Sequence, residues 1–479
     1  MTTAAKQRMT SPTFIGVDIG TQGVRAMLMG ENGNLLFSAK HNFAWTDNRN
    51  EQNPEQWWSG VVSVLRQLSS AFSQNDLDRI QAIAVTSTSG TVIPLDRNYE
   101  PLHPALMYSD NRAVQEAALC AEVSGQPYNA SFGLPKMVWF HRQYPEQAEQ
   151  IRLWCHAVDY ITGKLSGEWG IADYTSALKS GYDLERDRWP AYVTDALPIH
   201  PSQLPKAVAS GTIIGRLDRD VCELTGLPQT IRVVTGMTDG CASQIASGCS
   251  EPGHWNTTIG TTLVVKGLTR SPVYDPLGRI YNHKHPDGWW MPGGASNTGA
   301  DWISRDFSGC DLRELDEQAE QWLPTPWISY ALTQKGERFP FLNPDARGFD
   351  AQGLTDVQTY ASRLESVAYM EKLSYDTIEA LSSEHIHHVY TAGGGSASNI
   401  WLAIRSSVLG KPIYKMKHVE GAVGAAMLAA SATEFQSLGE AVRRMSIIDK
   451  YVEPGPWQQA YEEQYERFKQ LLREKGYLK

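Results

Sequence analysis

The sequence predicts an α/β protein built from two similar domains. A hairpin of apolar strands around a Gly-Thr turn occurs twice, as VDIGTQGVRAMLM at 17–29 and TTIGTTLVVKGL at 257–268. Each copy is followed by segments in which a buried strand runs through glycine into a helix, the order that gives a mostly parallel sheet with helices on its faces. The length of 479 residues exceeds what one hydrophobic core serves, so two domains of about 200 to 250 residues are expected.

After the first hairpin, Asn53 and Pro54 start a helix with Trp57, Trp58, Val61, Val62, Leu65 and Leu68 on one face. IQAIAVTST is a short apolar strand that ends in Thr86, Ser87, Thr88, Ser89 and Gly90, a polar terminus of the kind that faces a ligand in α/β folds. In IRVVTGMTDGCASQIASG a buried strand at 231–234 and a glycine turn lead to a helix near Asp239, and HVYTAGGGSASNIWLAI repeats that pattern with a strand at 388–391 and three glycines. GCSEPGHW at 248–255 reads as the domain boundary, separating 13–249 from 254–479. Tyr461, Tyr465, Phe468, Leu471 and Leu472 give the last segment one apolar helical edge, that of a docked terminal helix.

Composition excludes several classes of function. A net charge of −10 without a local Lys/Arg cluster repels nucleic acid and anionic lipid. No apolar run is long enough to span a bilayer, and MTTAAKQRMTSP lacks a signal-peptide core, so a cytoplasmic location is expected, with Met9 a candidate alternative start. The cysteines, Cys120, Cys155, Cys222, Cys241, Cys249 and Cys310, form no Cys-x-x-Cys pair and read as reduced, mostly buried thiols.

The polar residues inside the apolar hairpins ask for chemistry. A hairpin needs glycine, but it does not need Asp18 beside Gly20, Thr21 and Gln22, nor the Gly-Thr pairing again at Gly260, Thr261 and Thr262. A nucleoside triphosphate needs backbone N–H groups, hydroxyls and a carboxylate that can hold magnesium. No Walker-type loop and no dinucleotide fingerprint is present, so hairpins would have to hold the phosphates. Read as residues alone, Asp18 can brace its turn, Asp239 can cap a helix, and Gly393, Gly394 and Gly395 can form a tight strand-to-helix connection.

The paired DIGTQGVR and TIGTT hairpins, the GMTDG turn and TAGGGSASNIW resemble the actin-like ATPase superfamily. With GERFPFLNPDARG at 336–348 they resemble the FGGY carbohydrate kinases, over about residues 13 to 475. Within that family STSGTV, MYSDNRA, DYTSALKSGYD and GGASNTGADW look most like the pentulose kinases. The resemblance implies two ribonuclease-H-like domains with an inter-domain cleft, the first binding sugar and carrying the base, the second binding ATP. It makes Asp239 the catalytic base and Asp18 the Mg2+ residue, and assigns Thr88, Ser89, Gly90 and Asp110, with Asp239, to the sugar. It assigns Gly20, Thr21, Gln22, Gly260, Thr261, Thr262, Gly394, Gly395, Ser398 and Trp401 to the nucleotide. Trp401 also reads as core packing, and Asp110 as an ion-pair partner of Arg112.

The family resemblance further implies a small-molecule sugar substrate and a homodimer. Xylulose kinases carry Met-His-Gly where this chain has Thr88, Ser89 and Gly90, which favours D-ribulose over D-xylulose; a pentitol or glycerol is the alternative. The rival from another class is an actin-like chaperone or filament ATPase, which shares the paired hairpins.

Overall fold

The computed structural model describes residues 11–44 and 48–478; Met9 lies outside them. The chain divides into two compact units. The first comprises the chain up to Ala246 together with His283–Gly288 and Glu420–Met445, and the second comprises Ser247–Asn282, Trp289–Val419 and Ser446–Lys479. These compact units do not coincide with the expected division into 13–249 and 254–479. The main crossing falls at Ala246, and two later segments belong to the first unit: Glu420–Met445 packs its apolar helix on that unit's sheet, and in His283–Gly288 the Asp287 carboxylate accepts the N–H groups of Leu438 and Gly439 at 3.0 and 2.9 Å.

In the first unit β1 (Thr13–Gly20) and β2 (Gly23–Gly30) form the predicted hairpin, closed by the Gly20↔Gly23 pair, and β3 (Leu35–Asn42) extends it. On its other side β1 pairs parallel with β4 (Ile80–Ser87), and β4 pairs parallel with β6 (Arg232–Thr238), which is edged by antiparallel β5 (Ile213–Arg216). In the second unit the hairpin of β7 (His254–Ile259) and β8 (Leu263–Gly267) continues into antiparallel β9 (Trp290–Ser296). The opposite side of β7 carries parallel β10 (His388–Ala392), parallel β11 (Ile413–Met416) and antiparallel β12 (Ile448–Val452). Six strands thus repeat one sequence of pairings in each unit, which is the duplication the two Gly-Thr hairpins announced.

Local sequence explains the helices. Asn53 caps helix Pro54–Ala71 by accepting the Glu55 N–H at 3.0 Å, worth about 1 kcal/mol. Trp57, Val61, Val64, Leu65 and Leu68 are its buried apolar residues, while Trp58 and Val62 are half-buried. Counting from Trp57 at the 3.6 period reaches 61, 64, 65 and 68, so the expected face is rotated off Trp58 and Val62. The terminal helix Gln458–Glu474 buries Tyr461, Tyr465, Phe468 and Leu472 of the expected edge, while Leu471 is half-buried. All six cysteines are free; Cys222 is half-buried and Cys310 exposed.

Helix Gly421–Ser431, rich in alanine and glycine, lies against β1 so closely that a Cβ on Gly16 would sit 1.8 Å from the Ala422 carbonyl oxygen and 2.6 Å from the Ala426 nitrogen. Both are backbone atoms and cannot step aside. Gly16→Ala is therefore expected to cost about 3 kcal/mol or more and to lower the thermal midpoint measured by circular dichroism, far beyond the small change an exposed Gly→Ala gives.

Candidate active site

Three parallel strand ends meet at one edge of the first unit's sheet. Asp18 of β1 is opposite Thr86 of β4, Thr86 is opposite Met237 of β6, and Asp239 follows two residues later at the start of helix Asp239–Ala246. Strand register alone thus gathers residues 18, 86 and 239, in the place where α/β sheets bind ligands. Thr175 steadies the last strand: its Oγ1 accepts the Thr238 N–H at 2.8 Å and donates to Asp173 Oδ1 at 2.5 Å. Asp239 Oδ1 accepts the N–H of Gly240 at 2.6 Å.

The two carboxylates feel each other. Burial first, and then the Asp239 charge, raise the Asp18 pKa from 3.8 to about 6, with Arg25 pulling in the opposite direction. Arg25 itself lies 3.9 Å from Glu420. The N-terminus of helix Gly421–Ser431 adjoins the same carboxyl, since a Cβ on Gly421 would sit 3.2 Å from Asp18 Cγ. Thr86 Oγ1 and Ser89 Oγ are buried with no hydrogen-bond partner among the described residues. Among the described residues no cluster of three or more His, Cys, Asp or Glu forms a ready-made metal cage. A nucleotide-bound magnesium does not need one, because it takes one or two carboxylates and leaves the remaining positions to phosphate and water. The donor set fits such an ion, as the repulsion between Asp18 and Asp239 is what a cation relieves.

The segment after β4 is held by contacts of its own. Thr88 Oγ1 and Thr91 Oγ1 are 2.9 Å apart. Lys136, on helix Gly133–Gln143 and only 1% exposed, donates from Nζ to the carbonyls of Gly90 at 2.8 Å and Met107 at 2.6 Å. It therefore ties the 88–91 turn to the segment that carries Asp110. Burial lowers its pKa to about 7, against the pull of Asp110. Asp110 is buried and paired twice with Arg112, Nε to Oδ1 at 3.0 Å and Nη2 to Oδ2 at 2.8 Å, and Arg112 reaches on to Glu51 at 2.6 Å. The ion-pair reading of Asp110 is the one the geometry displays. A buried chain of Ser180, His156 and Asp159, with contacts of 2.8 and 2.6 Å at the two imidazole nitrogens, lies behind Gly133 of the same helix.

Neither Lys136 nor His156 was singled out from the sequence, yet FGLPKMVWF carried a signal: a lysine among apolar residues of a buried helix has to meet acceptors. Thr21 and Gln22 line a groove of about 580 Å³ with Lys40, Asn42, Arg49 and Tyr108. Gln52 fixes their turn, donating to the Thr21 carbonyl at 2.9 Å while accepting Trp57 Nε1–H at 2.8 Å.

In the second unit the hairpin and the glycine turn are neighbours. Thr258 pairs with Ala392, and Gly393, at φ +84°, approaches so near that a Cβ would sit 2.4 Å from the Ile259 carbonyl oxygen. Only glycine meets both conditions. Gly394 is exposed, with nothing within 4 Å of its Cβ position, whereas Gly395 packs against Ile259. The glycines run into a single 3₁₀ turn, and the helix Asn399–Leu409 starts after Ser398, whose Oγ accepts the Trp401 N–H at 3.1 Å. Ser398 is thus a helix cap. Trp401 is 1% exposed and gives its Nε1–H to the Leu364 carbonyl at 2.9 Å, which favours the core-packing reading over the adenine-pocket one.

Residues 13–246 match the N-terminal domain, and residues 255–433 the C-terminal domain, of the FGGY family of carbohydrate kinases. The chain belongs to this family. Over 454 residues this carbohydrate kinase is 25% identical to a xylulose kinase of Bacillus subtilis (strain 168), covering 89% of each chain. It is also 25% identical, over 452 residues, to a gluconokinase of that strain, covering 88% of this chain and 87% of the other. The crystal structure of xylulose kinase from Rhodospirillum rubrum matches with a TM-score of 0.85 at 25% identity, over 96% of this chain and 98% of that one. The fold is the two-domain, actin-like one of FGGY kinases. This enzyme is therefore a phosphotransferase acting on a carbohydrate, and the chaperone or filament reading is set aside. Among the described residues no helix is long and apolar enough to cross a membrane.

Proposed function

We propose that this FGGY kinase transfers the γ-phosphoryl group of ATP to the terminal hydroxyl of a pentulose, with D-ribulose preferred and D-xylulose next. The observation that carries the reading is the Asp18–Asp239 pair at the ends of parallel strands, with Thr88, Ser89 and Gly90 continuing from the strand between them.

In this reading Asp239 takes the proton of the terminal hydroxyl while that oxygen bonds to the γ-phosphorus and the bond to the β–γ bridging oxygen breaks, releasing ADP. Ser89, whose hydroxyl is buried and without a partner among the described residues, donates to or accepts from the sugar. Asp110, neutralised by Arg112, shapes the site rather than presenting a free charge. Asp18 holds magnesium, which when bound offsets the negative charge of the transferred phosphoryl group. Turns at Gly20–Gln22, Gly260–Thr262 and Gly393–Gly395 present backbone N–H groups and threonine hydroxyls to phosphate oxygens. The second unit thus supplies most of the nucleotide contacts and the first the sugar contacts.

The preference for D-ribulose rests on Thr88, Ser89 and Gly90, which offer hydroxyls and no imidazole to the sugar; the named xylulose kinase relatives keep D-xylulose second. A coupled ADP-release assay over D-ribulose, D-xylulose, gluconate, pentitols and glycerol tests this. The highest kcat/KM is expected for a pentulose, with D-ribulose first. A pentitol, gluconate or glycerol ahead of both pentuloses contradicts the reading.

A further inference from the structure

The stretch Gly336–Gly348 carries part of the family resemblance and takes no part in the roles above. Its second residue is a carboxylate only 2% exposed. Glu337 Oε2 accepts hydrogen bonds from Ser296 Oγ at 2.9 Å, Thr298 Oγ1 at 2.8 Å and Tyr330 OH at 3.0 Å, and Oε1 accepts the N–H groups of Asn297 at 2.6 Å and Arg338 at 2.9 Å. Every one of these donors is neutral. Asn297 adds a bond from Nδ2 to the Gly336 carbonyl at 2.9 Å. Three consecutive residues, 296 to 298, are therefore tied to Gly336 and Glu337.

The neighbouring turn at 298–300 explains why they are held. Gly299 lies against the tip of the β7–β8 hairpin, where a Cβ would sit 2.4 Å from the Thr261 carbonyl oxygen and 2.5 Å from Thr262 Cα. The Thr298 carbonyl accepts the Leu263 N–H at 3.0 Å, and the Ala300 N–H donates to the Gly260 carbonyl at 2.8 Å. The 298–300 turn thus grips the hairpin on both sides of Thr261 and Thr262, whereas inside the tip the Gly260 N–H donates to the Thr262 carbonyl at 3.0 Å. A turn of this size takes its exact position from what it leans on.

We propose that Glu337 is a positioning residue for nucleotide binding, setting the Gly260–Thr262 turn through the Ser296–Ala300 segment. This rests on the reading of Gly260–Thr262 as a phosphate turn. A carboxylate suits the task because both of its oxygens accept and can serve all of these donors at once. In Glu337→Gln one oxygen becomes an NH2 group. The hydroxyls of Ser296, Thr298 and Tyr330 can turn to accept from it, but the two backbone N–H groups can only donate, so the amide keeps its oxygen towards them and the grip on residues 296 and 298 changes. The fold is kept and the turn shifts. A displacement of well under 1 Å is enough to weaken phosphate contacts.

The test compares KM for ATP with KM for the sugar. Glu337→Gln is expected to raise KM for ATP, and Kd for ADP by calorimetry, about tenfold while leaving KM for the sugar within about twofold. Ile378→Val, a core change in the same unit, serves as the control for lost stability and is expected to leave both KM values unchanged. Thr261→Val tests the reading beneath the proposal. If Thr261→Val leaves nucleotide affinity untouched, the phosphate-turn reading fails and takes the proposal with it. If Thr261→Val weakens ATP and Glu337→Gln does not, the reading stands and the role of Glu337 is overturned. Should Glu337→Gln fail to fold, the double variant Ser296→Ala/Tyr330→Phe removes two of the donors and keeps the carboxylate. In that variant a selective rise in KM for ATP supports the proposal, and an unchanged value overturns it.

Discussion

Asp239→Asn is expected to yield a folded protein that binds ATP with near-normal affinity and transfers phosphate about 10³ to 10⁴ times more slowly. The amide has the shape of the carboxylate and its oxygen can still accept the Gly240 N–H, so helix Asp239–Ala246 keeps its start. What is lost is the capacity to take a proton. A pentulose hydroxyl attacking phosphorus must shed one, and the other carboxylate at this edge, Asp18, is reserved for the metal in the proposed scheme. Single-turnover measurement of sugar phosphate, with calorimetric titration of ATP, checks both halves of the expectation. A variant that transfers phosphate within tenfold of the native rate removes Asp239 from the role of base.

Asp18→Asn is expected to do two opposite things, abolishing most of the transfer and stabilising the fold. Asp18 has a native pKa of about 6 against an ordinary 3.8, chiefly because burial penalises its charge and secondarily because Asp239 repels it. The folded state therefore binds the Asp18 proton more tightly than the unfolded state. Below about pH 4 both states hold the proton and nothing is lost. As pH rises from about 4 to about 6 the unfolded chain ionises first and native stability falls, and above the native pKa the whole penalty is present. At about 1.4 kcal/mol per pH unit that penalty reaches about 2 to 3 kcal/mol at pH 7. Asparagine has no such titration. Urea unfolding of both proteins should show little difference at pH 4 and a widening advantage for the variant up to pH 7, without magnesium or nucleotide. An equal difference at every pH contradicts the assignment of the strain to Asp18. Magnesium should stabilise the native protein more than the variant, because the ion binds the ionised carboxylate.

Much of this was legible because it depends on local pattern. The Gly-Thr hairpins, the apolar strand that ends in Thr86 to Gly90, and the strand-to-helix turns at Asp239 and Gly393 are each written within about ten residues, and strand pairing then aligns them. The rest depends on which distant residues meet. Nothing local says that Lys136 spans the carbonyls of Gly90 and Met107, 46 and 29 residues away, or that Glu337 reaches back to Ser296. Periodicity places Trp401 on a helix but does not tell a core face from a ligand face, and its Nε1–H found a buried carbonyl. The return of Glu420–Met445 to the first unit is likewise invisible until Gly16 and Ala422 are seen in contact. Three of these left a signal, a residue out of place in its own segment: Lys136 in an apolar helix, Glu337 just ahead of the apolar Phe339-Pro340-Phe341, and Gly16 inside a strand.

In the proposed scheme Asp239, set beside Asp18 at the strand ends, drives transfer of phosphate from ATP to a pentulose. The most direct measurement follows ADP and pentulose phosphate together, by ³¹P NMR, in the native protein and in Asp239→Asn with magnesium, ATP and D-ribulose or D-xylulose. Expected are one pentulose phosphate for each ADP in the native protein, negligible ADP without sugar, and neither product above background in the variant. ADP formed without sugar phosphate, or sugar phosphate formed equally well by the variant, contradicts the scheme.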